Sequence, residues 1–266
     1  MSLHKKEKLI TLLNEVLESD QHRSEIEEIL SIVKIPKQHV IDEFLYYNLD
    51  VLHYNGNEIY ESLGNRVVLH IHNLIKDSWH QERQDTVTEF IEEIHPEKMV
   101  DVGFGVPSKY VKKIVLEKKK TLLTFVDLYD AAFKFAEALL MYWQKNWYEH
   151  IEFKTLDINS GYFVGFYDLY LLQDVIEHAF DPAGFLIEQI KSSYPEAVFI
   201  ISLPIGPILP YHYISWNSDQ TALKWLENCG LQIKKKKSVY VNPKIDLFSE
   251  QLGDKFHDLY TLCIKK

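Results

Sequence analysis

Four stretches of this chain set carboxylates or histidines at the ends of apolar runs. In MVDVGFGVPSKYV the run ends in Asp101, and Gly103, Phe104 and Gly105 follow. Glycines so spaced let the backbone turn sharply and come close to a ligand. Asp101, two residues before the first glycine, suits a cationic, amine-bearing ligand better than a pyrophosphate. A dinucleotide fingerprint would want a third glycine at position 108, which is Ser108. In LLTFVDLYD the run ends in Asp127 and Leu128, 24 residues after Gly103. An acid there hydrogen-bonds ribose hydroxyls in doubly wound folds; it can equally cap the next helix. In IEFKTLDIN, Asp157 and Ile158 offer a carboxylate for an adenine amino group and an apolar wall, although Asp157 also reads as a turn residue. The fourth run, YDLYLLQDVIEHAFDP, ends at Gln173, Asp174 and Val175, continues into Glu177 and His178, and meets a helix start at Asp181-Pro182.

These groups need a scaffold that brings strand ends together. Strands are predicted at Met99–Val102, Leu122–Val126, Ile151–Thr155, Leu169–Leu172 and Val198–Ile201, with helices at Lys109–Glu117, Ala131–Lys145 and Pro182–Ser192 between them. Such alternation implies an α/β fold, a doubly wound parallel sheet with helices on both faces. Two last strands, near Leu231–Val241 and Leu259–Lys265, read as a closing antiparallel hairpin, giving a mostly parallel seven-stranded sheet. Residues 66–95 read as helix, in one piece or interrupted.

Together the elements DVGFG, Asp127, Asp157-Ile158, DVIEH with Asp181-Pro182, and the apolar strand ending ISLP resemble the class I S-adenosylmethionine-dependent methyltransferases. The resemblance covers about residues 80–266, with its five elements in the family's order. It implies a Rossmann-like domain that binds S-adenosylmethionine and releases S-adenosylhomocysteine. The implied cofactor contacts are Asp101, Gly103, Phe104, Gly105, Asp127, Leu128, Asp157, Ile158, Gln173, Asp174 and Val175. Pro107 departs from the small residue the family often has there, so slightly altered contacts to the methionine part are expected.

The family has no universal catalytic residue. His178, and His212 in LPYHYISW after the fifth strand, are the candidates to take a proton from a hydroxyl or amine. Each has a structural alternative, a hydrogen bond to a neighbouring loop. Tyr211, Tyr213, Trp216 and Trp147 can line an aromatic pocket or pack in the core. No metal site is expected for small-molecule transfer. The segment D-V-I-E-H also resembles methyltransferases that modify the terminal ribose of small RNAs, which hold a divalent metal. The matching positions are Asp174, Glu177, His178 and His212, with Asp in place of the first Glu. A non-catalytic S-adenosylmethionine-binding protein and a nicotinamide oxidoreductase are the other classes; the absent third glycine speaks against the latter. His70 and His72 form H-x-H, which on a helix points two ways and reads as structural.

The 266 residues carry a formal net charge of −10, which disfavours a nucleic-acid partner. The run Lys234–Lys237 reads as a solvated strand edge. Two distant cysteines, Cys229 and Cys263, and the absence of a signal-like or membrane-spanning apolar run point to a reducing cytoplasm. Residues 1–65 form a small helical module. Leu9, Leu12, Leu13, Val16 and Leu17 make a helical stripe; Ser24 with Glu27 predicts a capping box for a helix through Val33; Pro36 opens a third helix with Val40, Ile41, Phe44 and Leu45 on its apolar face. Asn55-Gly56, flanked by Val51, Tyr54, Ile59 and Tyr60, predicts a hairpin, so the module resembles a winged helix. Residues 1–64 hold twelve Asp/Glu against six Lys/Arg, and the stretch from Pro36 to Asn48 carries one lysine, Lys37. DNA binding is therefore not expected. A substrate-covering or homodimer-forming role is, with the methyltransferase domain spanning 66–266.

Overall fold

A computed structural model describes residues 3–50, 60–117, 120–163, 165–209, 211–241 and 256–266. Five helices come first: α1 (Leu3–Leu17), α2 (Arg23–Val33), α3 (Lys37–Asp50), α4 (Leu63–Leu74) and α5 (Trp79–Ile94). The interrupted helix of residues 66–95 is thus α4 and α5. Then come β1 (Lys98–Val102), α6 (Lys109–Leu116), β2 (Leu122–Asp127), α7 (Asp130–Trp143), β3 (Ile151–Thr155), β4 (Leu169–Gln173), α8 (Pro182–Ser192), β5 (Val198–Ile205), α9 (Asp219–Asn228), β6 (Leu231–Tyr240) and β7 (His257–Lys265).

The seven strands form one sheet in the order β3-β2-β1-β4-β5-β7-β6. The first five are parallel; β7 runs antiparallel to β5 and β6. Both faces are covered, so the strands read as apolar runs with side chains alternating between two cores. On β4, Leu169 and Leu171 join Val87, Phe90, Val111 and Phe125 on one side. Tyr170 and Leu172 join Leu186, Ile201 and Leu226 on the other.

A third core joins the N-terminal helices to this body. Leu9, Leu13, Ile26, Ile29, Val40 and Phe44 pack with Val67, Val68 and Ile71 of α4 and with Phe135, Ala138 and Leu139 of α7. The boundary expected at residue 65 falls inside α4, because that helix serves both units. The predicted Asn55-Gly56 hairpin lies outside the described residues. The capping box predicted at Ser24 does not form. α2 starts two residues earlier than that box would place it, at Arg23, with His22 as its N-cap and no side-chain cap bond. Ser24 Oγ meets the Tyr142 hydroxyl at 2.8 Å, and Glu27 pairs with Arg23. The turn before α2 already bonds Arg23 N to the Ser19 carbonyl, so the helical path is entered ahead of Ser24. The Asp181 side chain does cap α8, accepting from Gly184 N at 3.0 Å. Helix α9, not expected above, has a capping box between Ser218 and Thr221. On the edge strand β6, Lys235 pairs with Glu93 and lies 4.0 Å from Glu89, consistent with a solvated, charged sheet edge.

His70 and His72 lie on α4 and bond to different elements, as two residues 200° apart must. His70 Nε2 meets Glu25 Oε1 at 2.8 Å; His72 Nε2 meets Asn48 Nδ2 at 3.2 Å. Glu25 also accepts from Trp143 Nε1 at 2.9 Å, so one buried carboxylate ties α2 to α4 and α7. Burial alone would raise its pKa, but His70, Trp143 and Lys112 together bring it to about 2.

The turn after β1 depends on Gly103. Its φ is +68°, and a Cβ there would lie 2.6 Å from Val175 Cγ2. Gly105 also has positive φ, +62°.

Two outcomes follow. Glu25 has a depressed folded-state pKa, so its contribution is full above its ordinary value near 4.5 and fades as pH falls toward about 2. Glu25→Gln is expected to lower unfolding free energy by about 2 kcal/mol at neutral pH. Urea titrations should show the gap from the native chain closing between pH 5 and pH 2 (about those limits). Gly103→Ala is expected to lower Tm through both clash and strain. Adding Val175→Ala should restore only the part due to the clash, since the about 1–2 kcal/mol of left-handed strain stays.

Candidate active site

The strand order reverses at β1, whose neighbours β2 and β4 lead away in opposite directions. A crevice opens at the carboxyl ends of strands at such a point. Asp101 is next to last in β1 and Gly103 follows that strand, Asp127 ends β2, Asp157 follows β3, Gln173 ends β4 and Asp174 follows it. The structure thus gathers the predicted residues at one edge of the sheet.

Two clefts meet there. The larger, about 550 Å³, is lined by Asp127, Leu128, Asp157, Ile158 and Val175, with Arg66 and Tyr129. The other, about 260 Å³, is lined by Asp101, Gln173, Glu177 and His212, with Trp79, Arg83 and Tyr260. Tyr60, Gly103, Gly105, Asp174, His178 and Tyr211 border both.

In the larger cleft, Asp127 is buried and accepts from Tyr129 N at 3.0 Å. Its pKa is raised by burial, against the pull of Arg66 and of backbone amides. It does not cap α7, whose N-cap is Tyr129. Asp157 accepts from Asn159 N at 2.8 Å and from Ser160 Oγ at 2.9 Å, the turn contacts anticipated as its alternative. Phe104, between the two glycines, lines the smaller cleft. Its ring goes into the core, 4.2 Å from that of Phe125. Pro107 is buried just ahead of Ser108, the N-cap of α6.

In the smaller cleft, Asp101 is fully enclosed. Its Oδ2 accepts from the Tyr110 hydroxyl, and its Oδ1 has no partner. Burial pushes its pKa up to about 7, although Tyr110 and Gln173 oppose the rise. Asp174 has φ +47° and is held by Ser202, whose Oγ donates to Asp174 Oδ1 at 2.6 Å. Its other oxygen pairs with Arg83, so its carboxylate faces the smaller cleft. Arg83 also donates from Nε to the Tyr260 hydroxyl at 2.7 Å and lies 3.1 Å from Asp258 Oδ2. Burial raises the carboxyl pKa of Glu177, with the charge of Asp258 adding to the rise, and that of Asp258, against the pull of Arg83 and His257. Among the described residues, Arg83 is the one Lys or Arg lining this cleft, against four carboxyl groups.

His178 sits on a 3-10 turn, Ile176–His178. Its Nδ1 is 3.1 Å from the Tyr211 carbonyl, which can only accept, so Nδ1 carries the proton and Nε2 is left with a lone pair. The His212 ring meets it edge-on at 4.8 Å. Burial lowers the pKa of both, His212 to about 3 with His178 contributing, so both imidazoles are neutral. Among the described residues, His212 Nδ1 and Glu177 Oε2 are buried without hydrogen-bond partners. The ligand atoms of Glu177, His178 and His212 all lie within 4.8 Å of one another. Of the aromatic candidates, Tyr211 borders both clefts and Tyr213 the larger one. Trp216 is in the core against Trp225, and Trp147 packs on Phe153 away from the site. Arg66, Arg83, Tyr60 and Asp258 were not among the expected site residues. They come from helices and the last strand, and none stands in a site motif.

No helix among the described residues is long and apolar enough to cross a membrane. No protein-family model matches the chain, and no curated protein matches it significantly in sequence. Solved structures do match in shape. Mitomycin 7-O-methyltransferase MmcR is 12% identical, with a TM-score of 0.56 over 97% of this chain and 72% of that one. Magnesium protoporphyrin IX methyltransferase from Synechocystis PCC 6803, solved with bound SAH, is 12% identical, with a TM-score of 0.51 over 83% of this chain and 97% of that one. The cyclase SpnF is 12% identical, with a TM-score of 0.55 over 71% of this chain and 83% of that one. The chain has the fold these proteins share, the fold expected of the class I S-adenosylmethionine-dependent methyltransferases.

Proposed function

We propose that the chain is an S-adenosylmethionine-dependent methyltransferase acting on a hydroxyl, amine or ring carbon of a small molecule. The observation that carries this reading is the meeting of two clefts at Gly103, Gly105, Asp174 and His178. One offers strand-end acids and apolar walls to a nucleoside. The other offers neutral histidines and aromatic rings to an acceptor. The space beside Gly105, where a Cβ would meet nothing nearer than Arg66 Nη1 at 3.7 Å among the described residues, and the unpartnered Asp101 Oδ1 fit the cofactor's close approach and its ammonium group.

In this reading Asp127 accepts the ribose hydroxyls, while Leu128, Ile158 and Val175 flank the adenine beside Asp157. Gln173 steadies Asp101. Bound there, S-adenosylmethionine supplies an electrophilic methyl group. The protein orients the acceptor and excludes water from it. His212, neutral and with Nδ1 unpartnered, can take the acceptor's proton, and His178 stands beside it. Leu69 and Asn73 of α4 line the acceptor cleft, which favours a covering role for the N-terminal helices over a purely dimer-forming one. The two free, buried cysteines fit the cytoplasm.

One observation favours a second reading. Glu177, His178 and His212 form a two-histidine, one-carboxylate set suited to a divalent cation. A cation there would draw in an acceptor with adjacent hydroxyls, such as a terminal ribose. Activity abolished by EDTA and restored by a divalent metal would establish it; EDTA-resistant turnover would remove it.

Isothermal titration should show micromolar or tighter binding of S-adenosylmethionine and S-adenosylhomocysteine; no binding of either would sink the main reading. A methyl-transfer screen over metabolite pools then separates an enzyme from a non-catalytic binder. Asp127→Ala is expected to weaken S-adenosylhomocysteine binding by about tenfold or more. His212→Ala is expected to lower kcat about a hundredfold and leave that affinity unchanged. Equal kcat in the variant would discard His212 as the proton acceptor.

A further inference from the structure

Arg66 lies on α4, outside the strands that carry the predicted cofactor residues, yet its guanidinium reaches their centre. The side chain is 1% exposed. Nη1 donates to the Gly105 carbonyl at 3.0 Å, and Nη2 to the Tyr60 carbonyl at 2.8 Å. Nη2 is also 3.7 Å from Asp127 Oδ1. The guanidinium lies 5.6 Å from the centroid of the Tyr60 ring. That ring stacks on Tyr129 and meets His178 edge-on. One side chain therefore touches the second glycine of the turn, the acid that ends β2, and the ring that stands between the two clefts.

A helix can be docked at far lower cost. Val67, Val68 and Ile71 already hold α4 on α7 through apolar contact. A buried guanidinium loses its hydration, and at 3.7 Å its acid returns only part of that loss. Its fork, by contrast, fixes two carbonyls in one geometry, which a lysine cannot do.

We propose that Arg66 is a positioning residue for the nucleoside end of the cofactor, holding the Gly105 turn and the Asp127 carboxylate in their binding arrangement. It rests on the S-adenosylmethionine reading. Through it the N-terminal helices set cofactor affinity.

Titrating the full-length chain with S-adenosylhomocysteine tests this. Arg66→Lys keeps the charge and loses the fork; it is expected to weaken binding about tenfold while thermal melting still shows one cooperative transition. Arg66 acting through Asp127 makes the two losses non-additive. The Arg66→Lys, Asp127→Asn double variant should bind within about twofold of Asp127→Asn alone. A merely structural arginine would give losses that multiply, and that result overturns the proposal, as does native affinity in Arg66→Lys. If Arg66→Lys does not fold, Arg66→Gln carries the same cycle. A native chain that binds no S-adenosylhomocysteine defeats the cofactor reading and this proposal together. Native binding that Arg66→Lys leaves intact defeats this proposal alone.

Discussion

The reversal of strand order at β1 is the constraint on which the rest of the molecule depends. β2 and β3 continue to one side, and β4 and β5 to the other. The connections that follow β1 and β4 therefore diverge and leave their strand ends uncovered. Asp101, Asp127, Asp157 and Asp174 stand at that edge because a parallel sheet brings all its carboxyl ends to the same side, and Asp258 joins them from the start of the antiparallel β7. The turn after β1 must then bend away at once, and Gly103 supplies the positive φ that allows it. Val175, packed against that glycine from the loop after β4, shows how little room the bend has.

Gathering carboxylates in a buried crevice creates an electrostatic problem, and the N-terminal half of the chain answers it. Asp127 meets Arg66 from α4; Asp174 and Asp258 meet Arg83 from α5. Both cations arrive on helices that precede β1. α5 lies on the core shared with the central strands, and α4 on the core shared with α7. Hydrophobic packing thus sets where the charges land. Asp101, with no cation among its contacts, has the pKa raised to about 7 that burial imposes.

Much of this was legible in the sequence, for identifiable reasons. Runs such as LYLL and FIIS are short, apolar and bounded, so strands β4 and β5 were visible, and the acids closing each run marked the functional edge. Glu177 and His178 were visible beside Asp174 because one turn carries them. Pairings distant in sequence were not legible. Nothing near Arg66 or Arg83 announces that Gly105 lies 39 residues on or Asp258 far beyond, since only the docking of α4 and α5 makes those contacts. Ser24 shows the converse failure. Its spacing to Glu27 matched a capping box, but a preceding turn had already started the helix. Local pattern identifies a device, and the chain on either side decides whether it is used.

What the fold leaves open is decided in the smaller cleft. A shared sheet supports different reactions, as the similarity to both O-methyltransferase MmcR and the cyclase SpnF illustrates. The larger cleft is built largely from strand ends, whose positions the sheet dictates. The smaller cleft draws also on α4, α5, the segment around His212 and the start of β7, which the sheet dictates far less. Its chemistry is two neutral imidazoles beside Glu177, with Arg83 paired to acids from two strands. Because Arg83 is already engaged, an anionic acceptor would have to compete with Asp174 and Asp258 for it. A neutral hydroxyl or an amine meets no such competition, and the unpartnered His212 Nδ1 gives its proton somewhere to go. The charge pattern of this cleft, more than the fold, is what the proposal of a hydroxyl- or amine-bearing acceptor rests on.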